Sequence, residues 1–280
     1  MKAKKKRLDV LLVERGLIDT REKAKRSVMA GLVFSNETRL DKPGEKVNDD
    51  IPLKVKGSMI PYVSRGGLKL EKALNAFELS VKDKILLDIG ASTGGFTDCA
   101  LQHGAKMSYA LDVGYNQLAW KLRQDDRVVV MERTNFRYVT PEDFPGEKPN
   151  FASIDVSFIS LRLILPVLKN LLVPLSDIVA LIKPQFEAGK EQVGKKGIVR
   201  DPKIHLEVIQ KIKDMAMAEG YDIIDLSYSP ITGGEGNIEF LIHLRWEGDL
   251  AIGTDRSRIN AADVVKEAHE NLNKINAEKG

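Results

Sequence analysis

Cysteine is almost absent from this chain of 280 residues, which contains only Cys99. A single cysteine excludes an internal disulfide and any cysteine-rich zinc or iron–sulfur site. The four histidines are scattered and show no spacing typical of metal ligands. The sequence therefore predicts no metal centre.

Long apolar segments are also scarce. The most apolar region, residues 163–182, is interrupted by Lys169, Asp177 and two prolines. We interpret it as a helix followed by a buried strand, because a membrane span needs a longer uninterrupted run. The apolar stretch Leu8–Val13 already contains Asp9, unlike the core of a secretion signal. We therefore expect a cytoplasmic protein without stable membrane insertion.

Charge is unevenly distributed along the chain. Residues 1–57 contain 15 Lys and Arg against 9 Asp and Glu, whereas the remainder contains 28 against 31. The length allows one large core and a small second domain. We interpret the first segment as a separate basic module, a type that attracts phosphate backbones. A charged face that is merely solvated would have the same composition.

The basic segment has the pattern of a small α+β domain. An amphipathic helix begins at Arg7 and stops near Gly16, and Thr20 is placed to cap a second helix. Short strands are predicted at residues 32–34 and 51–55, with a turn between them.

This segment resembles the RNA-binding module shared by a small-subunit ribosomal protein, pseudouridine synthases and tyrosyl-tRNA synthetases. The matching residues are Arg7-Leu8-Asp9, Arg21-Glu22-Lys23-Ala24, Ala30-Gly31-Leu32-Val33 and Lys42-Pro43-Gly44. The sequence departs from the module at residues 34–37, where its members commonly carry Val-Asn-Gly. The resemblance implies RNA contacts from five basic residues: Arg7, Arg21, Lys23, Lys25 and Arg26.

A glycine-rich segment, Leu86–Phe96, has the pattern of a nucleotide-type cofactor site. A buried strand is predicted over Ile85–Ile89, and the glycines that follow permit a tight turn and close approach of a ligand. The next helix offers unpaired N–H groups at its start. Asp112 follows 24 positions after Asp88, the spacing at which a doubly wound sheet offers a carboxylate to ribose hydroxyls.

The type of cofactor is restricted by what this segment lacks. Ser92 stands where the dinucleotide fingerprint has its middle glycine, and no Gly-Lys-Ser/Thr follows. A ligand with ribose and adenine but no phosphates fits better than ATP or a pyrophosphate cofactor, and S-adenosylmethionine is such a ligand. At this point the glycines could equally serve helix packing alone.

Strand-like and helix-like segments alternate through the rest of the chain, which predicts a mostly parallel sheet covered on both faces. The last two strands are joined by a turn too short for a crossover helix, so we expect an antiparallel hairpin at one edge. The fold class is therefore α/β, a seven-stranded Rossmann-like sheet with the α+β domain before it, and one reversed strand in such a sheet is the arrangement usual in methyltransferases. Its strands are predicted at 85–89, 108–113, 128–132, 152–156, 178–182, 223–229 and 238–246, and helices begin near Phe96, Tyr115, Phe158 and Pro202.

Charged residues at strand ends are candidates for chemistry, because ligands bind beyond the carboxyl ends of parallel strands. Asp155 and Lys183 close the fourth and fifth strands, Glu239 lies on the last strand, and Lys69 lies on the helix before the first. One interpretation is a structural salt bridge between Lys183 and Asp155. The other is general-base catalysis by a lysine whose pKa is lowered by burial and a neighbouring ammonium. The carboxylates act in the opposite direction, so both interpretations stay open.

Several longer motifs occur together, and on them the chain is similar to the TlyA family, often labelled hemolysin-like. The catalytic portion of that family resembles FtsJ-type ribose methyltransferases, whose Lys-Asp-Lys-Glu tetrad matches Lys69, Asp155, Lys183 and Glu239 in this sequence. The motifs are Ser64–Leu70, the glycine loop, Ala110–Tyr115, Leu181–Glu187, Gly197–Asp201 and Gly233–Phe240.

The resemblance implies S-adenosylmethionine as cofactor and ribosomal RNA as substrate, with the tetrad as the catalytic group. Asn135 stands where these enzymes carry an acid near the adenine. The cofactor contacts predicted from motif and resemblance together are Asp88, Gly90, Ala91, Ser92, Gly94, Gly95, Phe96, Asp112 and Asn135. The domains predicted are an RNA-binding domain at 1–57, a linker at 58–66, a methyltransferase domain at 67–247 and a polar C-terminal helix within 248–280, whose role stays unassigned.

The reaction implied is transfer of a methyl group to a ribose 2′-hydroxyl. Lys183 would take or hydrogen-bond the hydroxyl proton, with Asp155 and Lys69 aligning it and Glu239 bracing the cluster. Three alternatives are kept: base N-methylation, because residues 155–158 faintly resemble an Asp/Asn-Pro-Pro-aromatic signature; a non-catalytic role in ribosome assembly; and a membrane-lytic hemolysin.

Overall fold

A computed structural model of the chain describes residues 5–29, 31–56, 60–248 and 252–277. The chain divides into two compact units, residues 1–60 and 61–280. Residues 58 and 59 of the predicted linker lie outside the described residues, as do the outermost residues of both predicted terminal segments and residues 249–251.

The first unit is a small α+β fold. Its two helices and short strands enclose a core that includes Leu8, Leu12 and Val28. Thr20 Oγ1 accepts the N–H of Lys23 at 3.3 Å, as the predicted second helix start requires. The elements are β1 (Lys5–Arg7), α1 (Leu8–Glu14), α2 (Arg21–Met29), β2 (Val33–Ser35), β3 (Thr38–Arg39), β4 (Lys46–Asn48) and β5 (Lys54–Val55). β1 pairs antiparallel with β4, and β2 lies between β3 and β5.

The second unit is built on one seven-stranded sheet. Its strands are β6 (Ile85–Ile89), β7 (Met107–Leu111), β8 (Val128–Met131), β9 (Phe151–Ile154), β10 (Ser176–Ile182), β11 (Asp222–Tyr228) and β12 (Phe240–Trp246). They lie in the order β11-β12-β10-β9-β6-β7-β8. The neighbours from β10 to β8 are parallel, and β12 runs antiparallel to both β10 and β11. The predicted sheet with its antiparallel edge hairpin is confirmed.

Two apolar cores lie on opposite faces of this sheet. β6 contributes Leu87 and Ile89 to one core and Leu86 to the other, as the alternation of side chains along a strand requires. The helices of this unit are α3 (Gly67–Ala76), α4 (Gly95–Gln102), α5 (Trp120–Arg123), α6 (Leu165–Leu168), α7 (Pro184–Glu187), α8 (Pro202–Ala218) and α9 (Ala261–Ala277). Over the described ranges, no helix is both long enough and apolar enough to cross a bilayer.

Two predicted helix starts are wrong, each for a local reason. The segment after Tyr115 stays a loop because the Glu132 carboxylate accepts the backbone N–H groups of residues 116–118. Phe158 has a φ of +62°, which a right-handed helix cannot contain, so helical turns begin only at Leu161.

The C-terminal helix α9 packs against α8 and β11. Its apolar side chains complete the larger of the two cores, so the helix is a structural part of the second unit. These residues are Ala261, Val264, Val265, Ala268 and Leu272.

Candidate active site

Four charged side chains from separate elements lie together beyond the carboxyl ends of the central strands. Lys69 Nζ is 3.1 Å from Asp155 Oδ2 and 2.7 Å from Glu239 Oε2. Lys183 Nζ is 2.5 Å from Asp155 Oδ1. We refer to these four residues, two lysines and two carboxylic acids, as the tetrad.

The strand order explains why the tetrad assembles. β9 lies between β6 and β10 and is parallel to both, so Asp155 and Lys183, each directly after its strand, end at the same edge. Pro184 follows Lys183 at the first position of α7, where a proline is compatible with a helix start. Glu239 reaches the same edge from the opposite direction, because it directly precedes the antiparallel strand β12.

Burial and pairing fix the charge states of two tetrad members. Burial by itself lowers the pKa of Lys69, but Asp155 and Glu239 outweigh it, so that the pKa is raised. Burial by itself raises the pKa of Asp155, and the two lysines outweigh it in turn, so that this pKa is lowered. At neutral pH Lys69 is therefore a fixed cation and Asp155 a fixed anion.

Two adjoining cavities meet at the tetrad. The tetrad cavity, of about 630 Å³, is lined by all four tetrad residues. The Asp112 cavity, of about 500 Å³, is lined by Asp112 and Asn135. The walls they share are Gly90, Ser92, Asp155, Ser157 and Phe158. A ligand that extends through both would therefore have one end at Asp112 and the other at the tetrad.

The glycine-rich segment after β6 lies between the two cavities, and its residues Gly90 and Ser92 line both. Gly90 has a φ of +86°, and a Cβ at this position would come within 2.5 Å of the Asp155 carbonyl oxygen. A glycine is therefore required where the loop passes under Asp155. Further along, Ala91, Ser92, Gly95 and Phe96 also line the tetrad cavity.

The Asp112 carboxylate is held in a defined orientation. Its Oδ2 accepts the N–H of Ser92 at 2.8 Å, and its Oδ1 accepts the N–H of Gly114 at 2.7 Å. Asn135 lies on the same cavity, and its side chain caps a helical turn by accepting the N–H of Arg137 at 3.1 Å. The two residues predicted to contact ribose and adenine are thus in one place.

Two predicted cofactor residues have internal roles instead. Asp88 is only 1% exposed, its Oδ2 accepts bonds from both the N–H and the hydroxyl of Thr97, and its Oδ1 accepts from Ser153. Burial raises the pKa of Asp88 to about 6. This corrects the prediction for Asp88, because it braces the loop from inside the protein. Gly94 packs against side chains of α5 and the preceding loop, and lines neither cavity.

Phe158 and Ser157 are site residues that the sequence analysis did not assign. Phe158 is 91% exposed and lines both cavities. The centroid of its ring lies 4.9 Å from that of the Phe186 ring. A positive φ at a bulky residue is rare and is concentrated at functional segments. Ser157 Oγ accepts from Lys183 Nζ at 3.2 Å. Their position two and three residues after Asp155 was the available signal.

In the first unit, the predicted RNA-contacting residues lie on α2 and, in the case of Arg7, at the end of β1. Asp9 is fully buried and accepts from Arg7 Nε at 3.0 Å and from Arg21 Nε at 2.9 Å. Burial by itself raises the pKa of Asp9, but the two arginines outweigh it and lower the pKa. Lys23 pairs with Asp19 at 2.9 Å. The remaining two, Lys25 and Arg26, are exposed on α2.

Comparison with known proteins agrees with this architecture. A model of the FtsJ-like methyltransferase family matches residues 62–246, and a model of the S4 domain matches residues 6–50. The "Putative rRNA methyltransferase YqxC" of Bacillus subtilis is 68% identical over 278 residues, and the alignment covers 99% of each chain. The 16S/23S rRNA (cytidine-2′-O)-methyltransferase TlyA of Mycobacterium tuberculosis is 43% identical over 251 residues, with 89% of this chain and 93% of the relative covered.

A solved structure supports the same relationship. The protein described as "Putative hemolysin from Streptococcus thermophilus" is 56% identical, with a TM-score of 0.78 and 98% of each chain covered. The family match spans more than half of this chain, and the similarity to TlyA spans nearly all of it. The chain therefore belongs to the FtsJ-like methyltransferases and, among them, to the TlyA family.

Proposed function

We propose that this protein transfers the methyl group of S-adenosylmethionine to a ribose 2′-hydroxyl of ribosomal RNA. The observation that carries the proposal is the position of the tetrad, which stands where the two cavities meet. A structural ion pair would stabilise equally well away from any cavity. Here Asp155 is shared by both cavities and contacts both lysines.

The residues present fit S-adenosylmethionine. Asp112 is placed to accept hydrogen bonds from ribose hydroxyls, and the Asn135 amide oxygen can accept from the adenine amino group. Gly90 and the start of α4 leave room for close approach of the remaining part. When bound, the cofactor supplies a methyl group on a positively charged sulfur.

In this proposal the tetrad prepares the hydroxyl for attack. Lys183 Nζ, as the unprotonated amine, would hydrogen-bond the 2′-hydroxyl and take its proton as the oxygen–carbon bond forms and the carbon–sulfur bond of the bound cofactor breaks, which leaves a methyl ether, a neutral thioether and the Lys183 ammonium. Asp155 holds Lys183 in position, and Lys69, fixed as a cation, holds Asp155 and Glu239 together. The main requirement of such a site is to hold the hydroxyl oxygen in line with the carbon–sulfur bond, about 3 Å from the methyl carbon.

The substrate follows from the first unit and from the relatives. A basic S4 domain with arginines held by Asp9 suits phosphate contacts. Phe158 presents an exposed aromatic face beside the tetrad, on which an unstacked base can lie. Relatives are named as rRNA (cytidine-2′-O)-methyltransferases. We place the activity in the cytoplasm, where ribosomal RNA is found.

The experiment that tests this function uses ribosomal RNA from a strain that lacks the protein. The purified protein and methyl-labelled S-adenosylmethionine are added, and the RNA is digested to nucleosides for mass spectrometry. We expect the label in a 2′-O-methylated nucleoside. Label on a base would favour N-methylation, and no label on intact ribosomal subunits or free RNA would favour a non-catalytic role.

Replacing Gly90 by alanine is expected to weaken S-adenosylmethionine binding by about tenfold or more, because the new methyl group displaces the Asp155 carbonyl. Isothermal titration calorimetry measures the dissociation constant. Gly104→Ala is the matched control, since Gly104 has a similar φ of +89° but its Cβ would find only ordinary contacts, 3.4 Å and beyond. Equal binding of S-adenosylmethionine by both variants would contradict the proposed role of Gly90 in the cofactor site.

Replacing Arg21 by glutamine is expected to weaken binding to RNA of any sequence. The slope of the logarithm of the binding constant against the logarithm of the salt concentration should become less steep by about 1. The reason is the loss of one phosphate contact. Arg127→Gln is the control, because Arg127 is similarly exposed but lies in the second unit, outside the predicted RNA-contacting residues. Filter binding between 50 and 200 mM salt, as an order-of-magnitude range, separates the two. An unchanged slope in Arg21→Gln would contradict the assignment.

A further inference from the structure

We propose that His269 on α9 is a positioning residue for one wall of the tetrad cavity. The inference rests on the proposed function and extends it to a helix that lies beyond the residues matched by the family model. A series of hydrogen bonds leads from α9 to that wall.

The first part of the series is a pair of histidines between α8 and α9. His205 is fully buried, its Nδ1 lies 2.9 Å from His269 Nε2, and its Nε2 lies 3.1 Å from the carbonyl oxygen of Val199. A carbonyl can only accept, so His205 Nε2 carries a proton. Burial and the neighbouring His269 lower the pKa of His205 to about 4. His205 is therefore neutral, and its Nδ1 accepts from His269 Nε2.

The second part connects Val199 to the cavity through Asn237. The N–H of Val199 donates to Asn237 Oδ1 at 3.1 Å. Asn237 Nδ2 donates to the carbonyl oxygens of Gly197 at 3.0 Å and Gly234 at 3.1 Å. Asn237 is buried and lines the tetrad cavity. One amide group thus joins two turns, residues 195–197 and 234–236.

Both turns need external support. Lys196 has a φ of +67° and Glu235 a φ of +54°, and both residues line the tetrad cavity. A left-handed conformation is unfavourable for a non-glycine residue and persists only where the surroundings enforce it. Asn237 and, behind it, the histidine pair supply that support.

The second turn also covers a tetrad residue. Gly233, at its start, lies against the Glu239 carboxylate so closely that a Cβ would overlap it. Glu239 is 2% exposed under this cover. A cavity of about 290 Å³ behind the turn, lined in part by Val199, Glu235 and His269, leaves space into which a loosened turn can move. Such movement would admit water to Glu239 and weaken its hold on Lys69.

The test compares two bonds that α9 makes. In His269→Ala the bond to His205 is lost, and we expect kcat to fall about tenfold, the equivalent of one hydrogen bond. The dissociation constant of S-adenosylmethionine should stay unchanged, because these residues do not line the Asp112 cavity. The control is Asn271→Ala, which removes a 2.8 Å bond from the same helix to Tyr228 Oη and leaves the series intact. It should keep kcat within about twofold.

A second pair of variants separates positioning from folding. Glutamine at position 269 can still donate to His205, whereas asparagine is too short to reach it, so His269→Gln should keep most of the activity that His269→Asn loses. The double variant Asn237→Ala with His269→Ala should show a smaller fold-decrease in kcat than the product of the two single fold-decreases. Both residues act on the same series of hydrogen bonds, so their effects are not independent.

Equal effects of His269→Ala and Asn271→Ala on kcat and Tm would overturn the inference, since α9 would then only stabilise the fold. Full activity of His269→Asn would overturn it as well. A wild-type protein that leaves ribose unmethylated would instead reject the proposed function, and these outcomes are distinguishable.

Discussion

Replacing Lys183 by methionine is expected to lower the single-turnover rate of methyl transfer by about 10³-fold, in the range of a lost general base. Methionine keeps the length of the side chain but removes the amine that lies 2.5 Å from Asp155 Oδ1 and 3.2 Å from Ser157 Oγ. Binding of S-adenosylmethionine should change little, because Lys183 does not line the Asp112 cavity. Quenched-flow assays with methyl-labelled cofactor measure the rate, and calorimetry measures the binding.

Lys190→Met provides the matched control. Lys190 is an exposed lysine a few residues further along that lines neither cavity. Its loss should leave the rate at saturating RNA within about twofold. A Lys183→Met variant that retains a rate within tenfold of the wild type would show that the amine only stabilises the fold.

Replacing Lys69 by methionine is expected to reduce both activity and stability, because it leaves the buried Glu239 and the largely buried Asp155 without their shared cation. Breaking a buried ion pair from one side costs about 3–5 kcal/mol in the free energy of unfolding. Guanidinium unfolding at pH 8 measures this loss, and the methylation assay should show a fall of at least about 10²-fold.

The pH dependence of this variant gives a sharper test. In the wild type the lowered pKa of Asp155 contributes stability above the unfolded pKa, and this contribution is lost as the pH falls through the folded pKa. Without Lys69, repulsion and burial raise the pKa of one carboxyl group, so lowering the pH towards 5 should stabilise the variant relative to pH 8. Asp88, whose pKa is raised to about 6, titrates in both proteins, so the test is the difference between them: between pH 8 and pH 5 the variant should gain more stability than the wild type.

A second substitution checks the explanation. In Lys69→Met combined with Glu239→Gln, the remaining Asp155 and Lys183 balance each other, so most of the stability should return while activity stays low. If Lys69→Met alone were as stable as the wild type at pH 8, the tetrad would not be a coupled buried cluster.

The sequence predicted the framework of the site because that framework depends on local patterns. Apolar runs such as Ile85–Ile89 and Ile178–Ile182 mark buried strands. A residue directly before or after such a strand has a defined place at the edge of the sheet. The sequence alone therefore predicts that Asp155 and Lys183 lie at one edge of the sheet. The helix at Pro202 was equally predictable, because Asp201 caps it and accepts the N–H of Lys203 at 2.9 Å.

The remaining features depend on contacts between distant residues. The direction in which Asp88 points is set by Thr97 and by Ser153, which is 65 positions away in sequence. Similarly, the pairing of His205 with His269 spans 64 positions. The pKa of Lys69 could not be given a direction from sequence, since burial and two carboxylates oppose each other and only distances decide the outcome.

The most direct measurement of the central claim uses RNA in which the target nucleotide, once mapped, lacks its 2′-hydroxyl. A synthetic RNA with 2′-deoxyribose at that single position is compared with the unmodified RNA for binding and for incorporation of labelled methyl groups. We expect comparable binding and no incorporation, because the tetrad acts on the missing hydroxyl. Continued incorporation into the 2′-deoxy nucleotide would contradict it and would assign the methyl group to the base.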